Sequence, residues 1–427
     1  MYDAAVAAAA PEAATARAVD GLKIDRSARV WVFAFGKAAQ PMAAAAVASL
    51  LKSLHSIVGG LIVSNELGTP PYPTMLSMRG DHPLPGRNSF AAAAKIAEVT
   101  SGRRGNDVAI VLISGGASSL IGAPLRGMNE ADLIALYELL LGSGLDIASM
   151  NAVRKRFSRW AAGRLALALA PAATHCLAIS DVANDDLSVI GSGPCVPDTT
   201  TVKDVTAILE RANLLSRIPA SYRDYLSGVS RGTTPETPTV AHPAFAHVTA
   251  RVIGNTQLAI EGAAASARSH ALSTEVVSTR LSGESARAGE AIARELIALR
   301  ARAGSGHCMI WGGETTVTLA SNNSGRPSGG GRCQELALAA ARVLDEAADG
   351  AAGITLLAAG TDGRDGATDA AGAIVDSATW TDVASAGRDP AQALASHESH
   401  GALLAAQALV PRRETGTNVN DVVIGVV

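Results

Sequence analysis

DVAIVLISGGASSL, residues 107–120, carries an uninterrupted apolar run, VAIVLI, that breaks on Ser114-Gly115-Gly116 and leads into the start of a helical segment. Such a run reads as a strand buried on both faces, a tight turn and the start of a helix, the repeating unit of a helix-covered parallel sheet. The pattern recurs at VWVFAFG (30–36), GLIVSN (60–65), HCLAISD (175–181), CMIWGG (308–313) and ITLLAAGTDG (354–363), with alanine- and leucine-rich segments between. The expected fold class is α/β, with largely parallel sheets.

A chain of 427 residues exceeds what one core usually serves, so two domains are expected. RGTTPETPTVAHPAF interrupts the rhythm with Pro235, Pro238 and Pro243, which sets the boundary near 240 and gives domains 1–240 and 241–427. No internal repeat is visible, and GRPSGGGR (325–332) reads as a glycine-rich loop.

The 36 basic and 39 acidic side chains leave a net charge of −3 with no blocks of one sign, which argues against nucleic acid or an anionic membrane as partner. No apolar run reaches the roughly 18 to 20 residues of a membrane span. The alanine-rich start, MYDAAVAAAAPEAATARAVD, lacks a basic leader and reads as a capping helix. Cys176, Cys195, Cys308 and Cys333 are too widely spaced for a C-x-x-C signature, so reduced thiols in a soluble, cytoplasmic protein are expected.

Ligands collect at the C-terminal ends of parallel strands, so polar residues that directly follow a strand carry the most information. Ser114, Gly115, Gly116 and Ser118 form a candidate phosphate cradle, although neither a Walker loop nor a G-x-S-x-G elbow is present and a plain tight turn would also fit. Lys37, in FAFGKAA, sits where the next helix should begin and asks for an anion. No further glycines of a dinucleotide fingerprint follow Gly36.

AISDVANDD places Asp181 at a strand end with Asp185 and Asp186 behind it. Grouped carboxylates suit Mg²⁺ or serve as helix caps. GTDGRDGATDAAG (360–372) supplies Asp362, Asp365 and Asp369 after a strand; Arg364 and Gly366 exclude an EF-hand loop, and turn or helix capping competes with a site.

Glu314 follows Gly312-Gly313, and Arg332 stands at a helix entry, where a guanidinium opposes the dipole unless it grips phosphate or carboxylate. TGTNVNDVV packs Asn418, Asn420 and Asp421 before the closing apolar run, where turn chemistry is almost as good an explanation as a ligand. Of nine histidines only His82, in GDHPLPG, has a suggestive setting; no zinc spacing or nucleophile motif is present.

In order, FGKAA, GDHPLPG, LISGGASSL, MNAVRKRFS, ISDVANDD with SGPCVPD, GGETTV, GRCQE, GTDGRDGATDAAG and TGTNVND resemble the glycerate 2-kinase family that carries a C-terminal MOFRL domain, many of whose members are named hydroxypyruvate reductase. The resemblance runs from about residue 30 to 421. It implies a Rossmann-like N-terminal domain, a C-terminal α/β domain with its MOFRL-like region at about 305–425, and an interdomain cleft. It also implies transfer of the ATP γ-phosphoryl group to the 2-hydroxyl of D-glycerate with Mg²⁺ or another divalent cation.

By matching position, Lys37, Arg332, Asp181 and Asp362 would be catalytic, with Asp181 or Asp362 the base. Ser114, Gly115, Gly116, Ser118, Asn151, Arg154, Asp186, Glu314, Asp365, Asn418 and Asn420 would bind substrate or nucleotide, and Asp185 with Asp186 the metal. The chain departs from the family pattern at Cys195, Trp311 and Cys333, where threonine, serine and asparagine are usual, and across 396–415. A reductase using NAD(P)H and a non-catalytic small-acid sensor are the alternatives. Alanine-rich helical faces suit a homodimer as readily as a core.

Overall fold

The computed structural model describes residues 1–182, 184–319 and 329–427, so residues 325–328 of the expected glycine-rich loop lie outside the described residues. The chain forms two compact units, Pro11–Ile253 and Met1–Ala10 with Gly254–Val427.

In the first unit β1 (Arg29–Phe35), β2 (Ser56–Ser64), β3 (Met75–Arg79), β4 (Asp107–Ile113), β5 (Ala173–Ile179) and β6 (Val248–Gly254) form one sheet in the order β3-β2-β1-β4-β5-β6. β1 through β5 pair in parallel, with Phe35 level with Ile113. All seven residues of β4 are buried, as its continuous apolar run requires of a central strand. Phe33, Phe35, Val111, Ile113, Tyr137, Phe157 and Trp160 belong to the core beneath. Chain order reverses between β1 and β4, and at such a switch point the two outgoing loops diverge and leave a crevice.

The chain leaves this unit at Gly254, beyond the boundary expected near 240. The prolines do interrupt regular structure, but β6 follows them and extends the first sheet, with His175 Nδ1 2.8 Å from Thr249 Oγ1.

The second unit holds β7 (Ser273–Val276), β8 (His307–Gly313), β9 (Thr355–Gly360), β10 (Ala370–Asp376), β11 (Leu409–Pro411) and β12 (Asp421–Val426), in the order β11-β10-β9-β12-β8-β7. Its sheet is mixed: β7 runs parallel to β8, while β12 lies antiparallel between β8 and β9, and β10 is antiparallel to both β9 and β11. GTDGRDGATDAAG therefore links two antiparallel strands and does not lead into a helix.

The N-terminal helix Tyr2–Ala8 belongs to this unit and not to the expected 1–240 domain. Tyr2 donates to the Gly360 carbonyl at 2.6 Å, Thr417 to that of Ala9 at 2.8 Å, and the helix packs on Thr256–Ser269. All four cysteines are free and buried, and no helix among the described residues is long and apolar enough to cross a membrane.

Helices Ser285–Ala303 and Arg332–Glu346 cover one face of the second sheet and meet at Gly289, where a Cβ would lie 2.1 Å from the Leu336 carbonyl oxygen. Gly289→Ala should force them apart and lower stability by about 1–3 kcal/mol, read as a lower thermal midpoint. An unchanged midpoint would show that the helices tolerate a wider spacing.

Candidate active site

In the first unit the loops leaving β1 and β4 are stitched at the switch point. Ser114 N–H donates to the Phe35 carbonyl at 3.0 Å, Lys37 N–H to that of Gly115 at 2.9 Å, and Ala38 N–H to Ser114 Oγ at 3.0 Å. The fit needs glycine: at Gly36, φ is +129° and a Cβ would lie 2.2 Å from Ser114 Oγ, while a Cβ on Gly115 would lie 2.5 Å from Asp181 Oδ2. Lys37, Ser114, Gly115, Gly116 and Asp181 are thus brought together.

Lys37 precedes its helix, which begins at Ala39, and its ammonium has no hydrogen bond or ion pair among the described residues. Burial raises the Asp181 carboxyl above its ordinary value, partly countered by a backbone hydrogen bond and by Lys37.

The expected helix behind the cradle is a single turn, Ala117–Leu120, too short to supply a useful dipole. Ser118 Oγ instead meets Ser192 Oγ at 2.7 Å. Asn184, Asp185 and Ser192 all adopt positive φ in the loop after β5. Exposed Asp186 accepts the Ser188 N–H at 2.8 Å, a turn-capping contact that leaves its other oxygen available. Asn151 and Arg154 lie on helix Ile147–Phe157, which packs on the 190–192 turn. The Arg154 guanidinium lies 4.9 Å from the centre of the Tyr137 ring, and its Nε is buried without a partner.

In the second unit Arg332 opens its helix and forks onto Asp421, Nε to Oδ2 at 2.6 Å and Nη2 to Oδ1 at 2.9 Å. Its Nη1 meets Glu314 at 2.8 Å. Burial alone would lower the guanidinium pKa, but Asp421 and Glu314 outweigh it and hold the group well above its usual value. The expected grip on a carboxylate is therefore made inside the protein. Asp421, whose side chain is 2% exposed, stood in the sequence beside Asn418 and Asn420, but its pairing with Arg332 was not foreseen. The missing signal was its position: it begins β12 directly after TNVN and so faces the helix start.

Asp365 was expected at a ligand and instead caps the helix that begins with Arg332. It accepts from Cys333 N at 3.1 Å, Gln334 N at 2.8 Å and Gln334 Nε2 at 2.9 Å. Burial lifts its carboxyl to about 6 against the pull of these donors. A Cβ on Gly331 would lie 2.1 Å from Asp365 Cγ, which fixes glycine before the arginine.

The 396–401 segment braces the same turn: His397 Nδ1 lies 2.8 Å from Glu335 Oε2, and His400 lies 3.0 Å from Gln334 Oε1 and 3.1 Å from Asp369. Asp362 is only partly buried; its carboxyl is raised by desolvation, eased by the Arg364 N–H at 3.0 Å and raised further by Asp421.

Fully buried Thr361 joins the loops on either side of the site. Its backbone N–H and its hydroxyl both donate to the Asn420 carbonyl, at 2.9 and 2.6 Å, and its Oγ1 accepts from Val419 N at 2.9 Å. Asn420 is held at φ +69°, and its buried Nδ2 has no partner, a donor that a ligand oxygen would satisfy. Asn418 Oδ1 accepts from Asn420 N at 3.3 Å. A cavity of about 530 Å³ on this sheet, lined by Tyr2, Leu357, Ile374, Val410, Ile424 and others, contains none of these residues.

Among the described residues no group of three or more His, Cys, Asp or Glu is gathered to hold a metal. Asp181, Asp185 and Asp186 are not gathered as such a group; their oxygen-only chemistry is of the kind Mg²⁺ takes, one or two carboxylates with phosphate and water completing the shell.

Two family profiles match the chain, a domain of unknown function (DUF4147) over residues 1–227 and the MOFRL family over 307–421. The chain is 35% identical over 420 residues to the D-glycerate 2-kinase of Thermotoga maritima, covering 98% of this chain and 94% of that protein. It is 37% identical over 427 residues to a putative hydroxypyruvate reductase of Agrobacterium vitis, covering 99% and 92%. The crystal structure of the Thermotoga maritima glycerate kinase superposes with a TM-score of 0.87, covering 100% of this chain and 97% of that one. Fold and profiles together define an α/β protein of the MOFRL class. The chain belongs to the glycerate 2-kinase family.

Arg332→Ala would strand the buried Asp421 carboxylate. Discounted for the arginine's partial exposure, the loss should be about 2–4 kcal/mol of stability, whereas Lys37→Ala should change it by less than about 0.5 kcal/mol. Urea unfolding of both variants tests this, and equal stabilities would sink the contrast.

The Asp365 pKa rises from 3.8 to about 6 on folding, so the native state keeps a proton that the unfolded state releases between those values. Its stabilising contribution is full below pH 3.8 and is lost as pH rises through 6. Relative to the parent, Asp365→Asn should therefore gain on the order of 2–3 kcal/mol between about pH 4 and 7. A constant difference across that range would overturn the assignment.

Proposed function

We propose that this protein is an ATP-dependent kinase that transfers the γ-phosphoryl group to the 2-hydroxyl of D-glycerate or a closely related hydroxy acid. The observation that carries the reading is the unpartnered Lys37 ammonium beside the Ser114–Gly116 turn at the β1/β4 switch point. Phosphoryl transfer needs positioning and charge neutralisation more than covalent chemistry. An unpaired lysine, glycine-borne N–H groups and nearby carboxylates supply both.

Lys37 binds the transferring phosphoryl oxygens, and the Ser114–Ser118 turn orients phosphate or the acid's carboxylate. Arg332 is the second unit's own anion-binding candidate: Asp421 fixes its plane, and the N–H groups that Asp421 and Glu314 leave over are available to an anionic oxygen. The orphaned Asn420 Nδ2 adds a neutral donor. Asp181 or Asp362 takes the hydroxyl proton; in both, burial raises the carboxyl towards the range where a base accepts a proton effectively. Asp185 and Asp186 are the residues to hold Mg²⁺, which when bound neutralises phosphate charge.

The β1 turn lacks the glycines of a dinucleotide site, which supports the kinase over the reductase. A coupled assay of ADP release with D-glycerate should show turnover in the parent and a fall of about 10²- to 10³-fold in Lys37→Ala. NADH consumption with hydroxypyruvate, combined with no ADP release from glycerate, would reverse the reading.

A further inference from the structure

The loop after β3 is fixed at both ends. On one side Asp81 accepts from Asn88 N and Nδ2, each at 2.8 Å, and its own N–H donates to Ser89 Oγ at 2.8 Å. On the other, Ser119 Oγ donates to the Pro83 carbonyl at 2.6 Å, and Gly80 packs so closely that a Cβ would lie 2.4 Å from the Leu120 carbonyl oxygen. Between these anchors stands His82, whose ring nitrogens have no hydrogen-bond partner among the described residues and whose side chain is open to solvent.

The ring lies over Gly116. A Cβ there would lie 3.0 Å from His82 Cδ2, 3.4 Å from His82 Nε2 and 3.5 Å from Lys37 Cγ. The Cδ2–Nε2 edge of the imidazole and the stem of Lys37 therefore converge over the same glycine, which leads φ +85° into the 117–120 turn. A loop tethered on both sides that leaves its one polar ring unpaired, beside an unpaired ammonium, is arranged for something outside the protein.

We propose that His82 is a ligand contact of the first-unit site, donating its Nε2–H to an anionic oxygen that Lys37 also holds. The oxygen belongs to the hydroxy acid's carboxylate or to a nucleotide phosphate. The contact deepens the kinase reading and rests on it for its choice of probes. Partial burial of the ring, and then the charge of Lys37, push its pKa below the ordinary histidine value. In the unliganded protein the ring therefore sets little second charge against Lys37 near pH 7.

Calorimetric titration of the parent, His82→Ala, His82→Gln and His82→Asn with MgATP and with D-glycerate tests the assignment, with circular dichroism melts to confirm folding. His82→Ala should weaken one of the two ligands by about 10- to 100-fold, and which one identifies the source of the oxygen. Gln, whose amide nitrogen falls near the Nε2 position, should recover most of the affinity; Asn, which reaches only the Nδ1 position, should not. Parent-like affinity of folded His82→Ala for both ligands would overturn the proposal, as would rescue by Asn but not Gln. Failure of the kinase reading shows separately, as a parent that binds ligand but releases no ADP.

Discussion

The second unit is organised by one charge pair. Asp421 begins the strand that lies between β8 and β9, and Arg332 begins the helix that covers them. A carboxylate with 2% of its side chain exposed is costly to bury unless a partner satisfies both oxygens, and the forked guanidinium does so. Strand, helix and the loops carrying Glu314, Asp362 and Asn420 are thereby held in one register. The arginine's remaining donors also gain a fixed direction, which a free side chain would lack.

The two candidate cations are prepared differently. Lys37 is left without a protein partner and is positioned by backbone alone, through hydrogen bonds between the β1 and β4 loops that only glycine permits. Arg332 is already engaged and works as part of a carboxylate-bound frame. A point charge on a flexible stem and a planar fork suit these roles respectively.

Much of this was legible in the chain itself. β4 announces a central strand because every residue after Asp107 is apolar, and Lys37 and Asp181 follow strands where a parallel sheet gathers ligands. The second sheet was harder to foresee. An antiparallel strand inserted from the chain's end leaves no periodic trace, so the mixed pairing and the role of Asp421 were hidden.

Asp365 shows the limit in another way: a capping aspartate was anticipated, but the helix it caps starts 33 residues earlier in the chain (365 − 332). The departures at Cys195, Trp311 and Cys333 all lie in the two cores, and Cys333 is buried beside Asp421 and Asp365. The altered 396–401 segment does approach the site, through His397 and His400.

Because helix Tyr2–Ala8 packs with residues beyond Gly254, the intervening segment is threaded into its host as an insertion. During synthesis Pro11–Ile253 has its partners as soon as it emerges, while Met1–Ala10 must wait for the residues beyond Gly254. Assembly order is thus the reverse of translation order for those opening residues, and dividing the gene at the proline-rich segment would separate them from the lobe they complete.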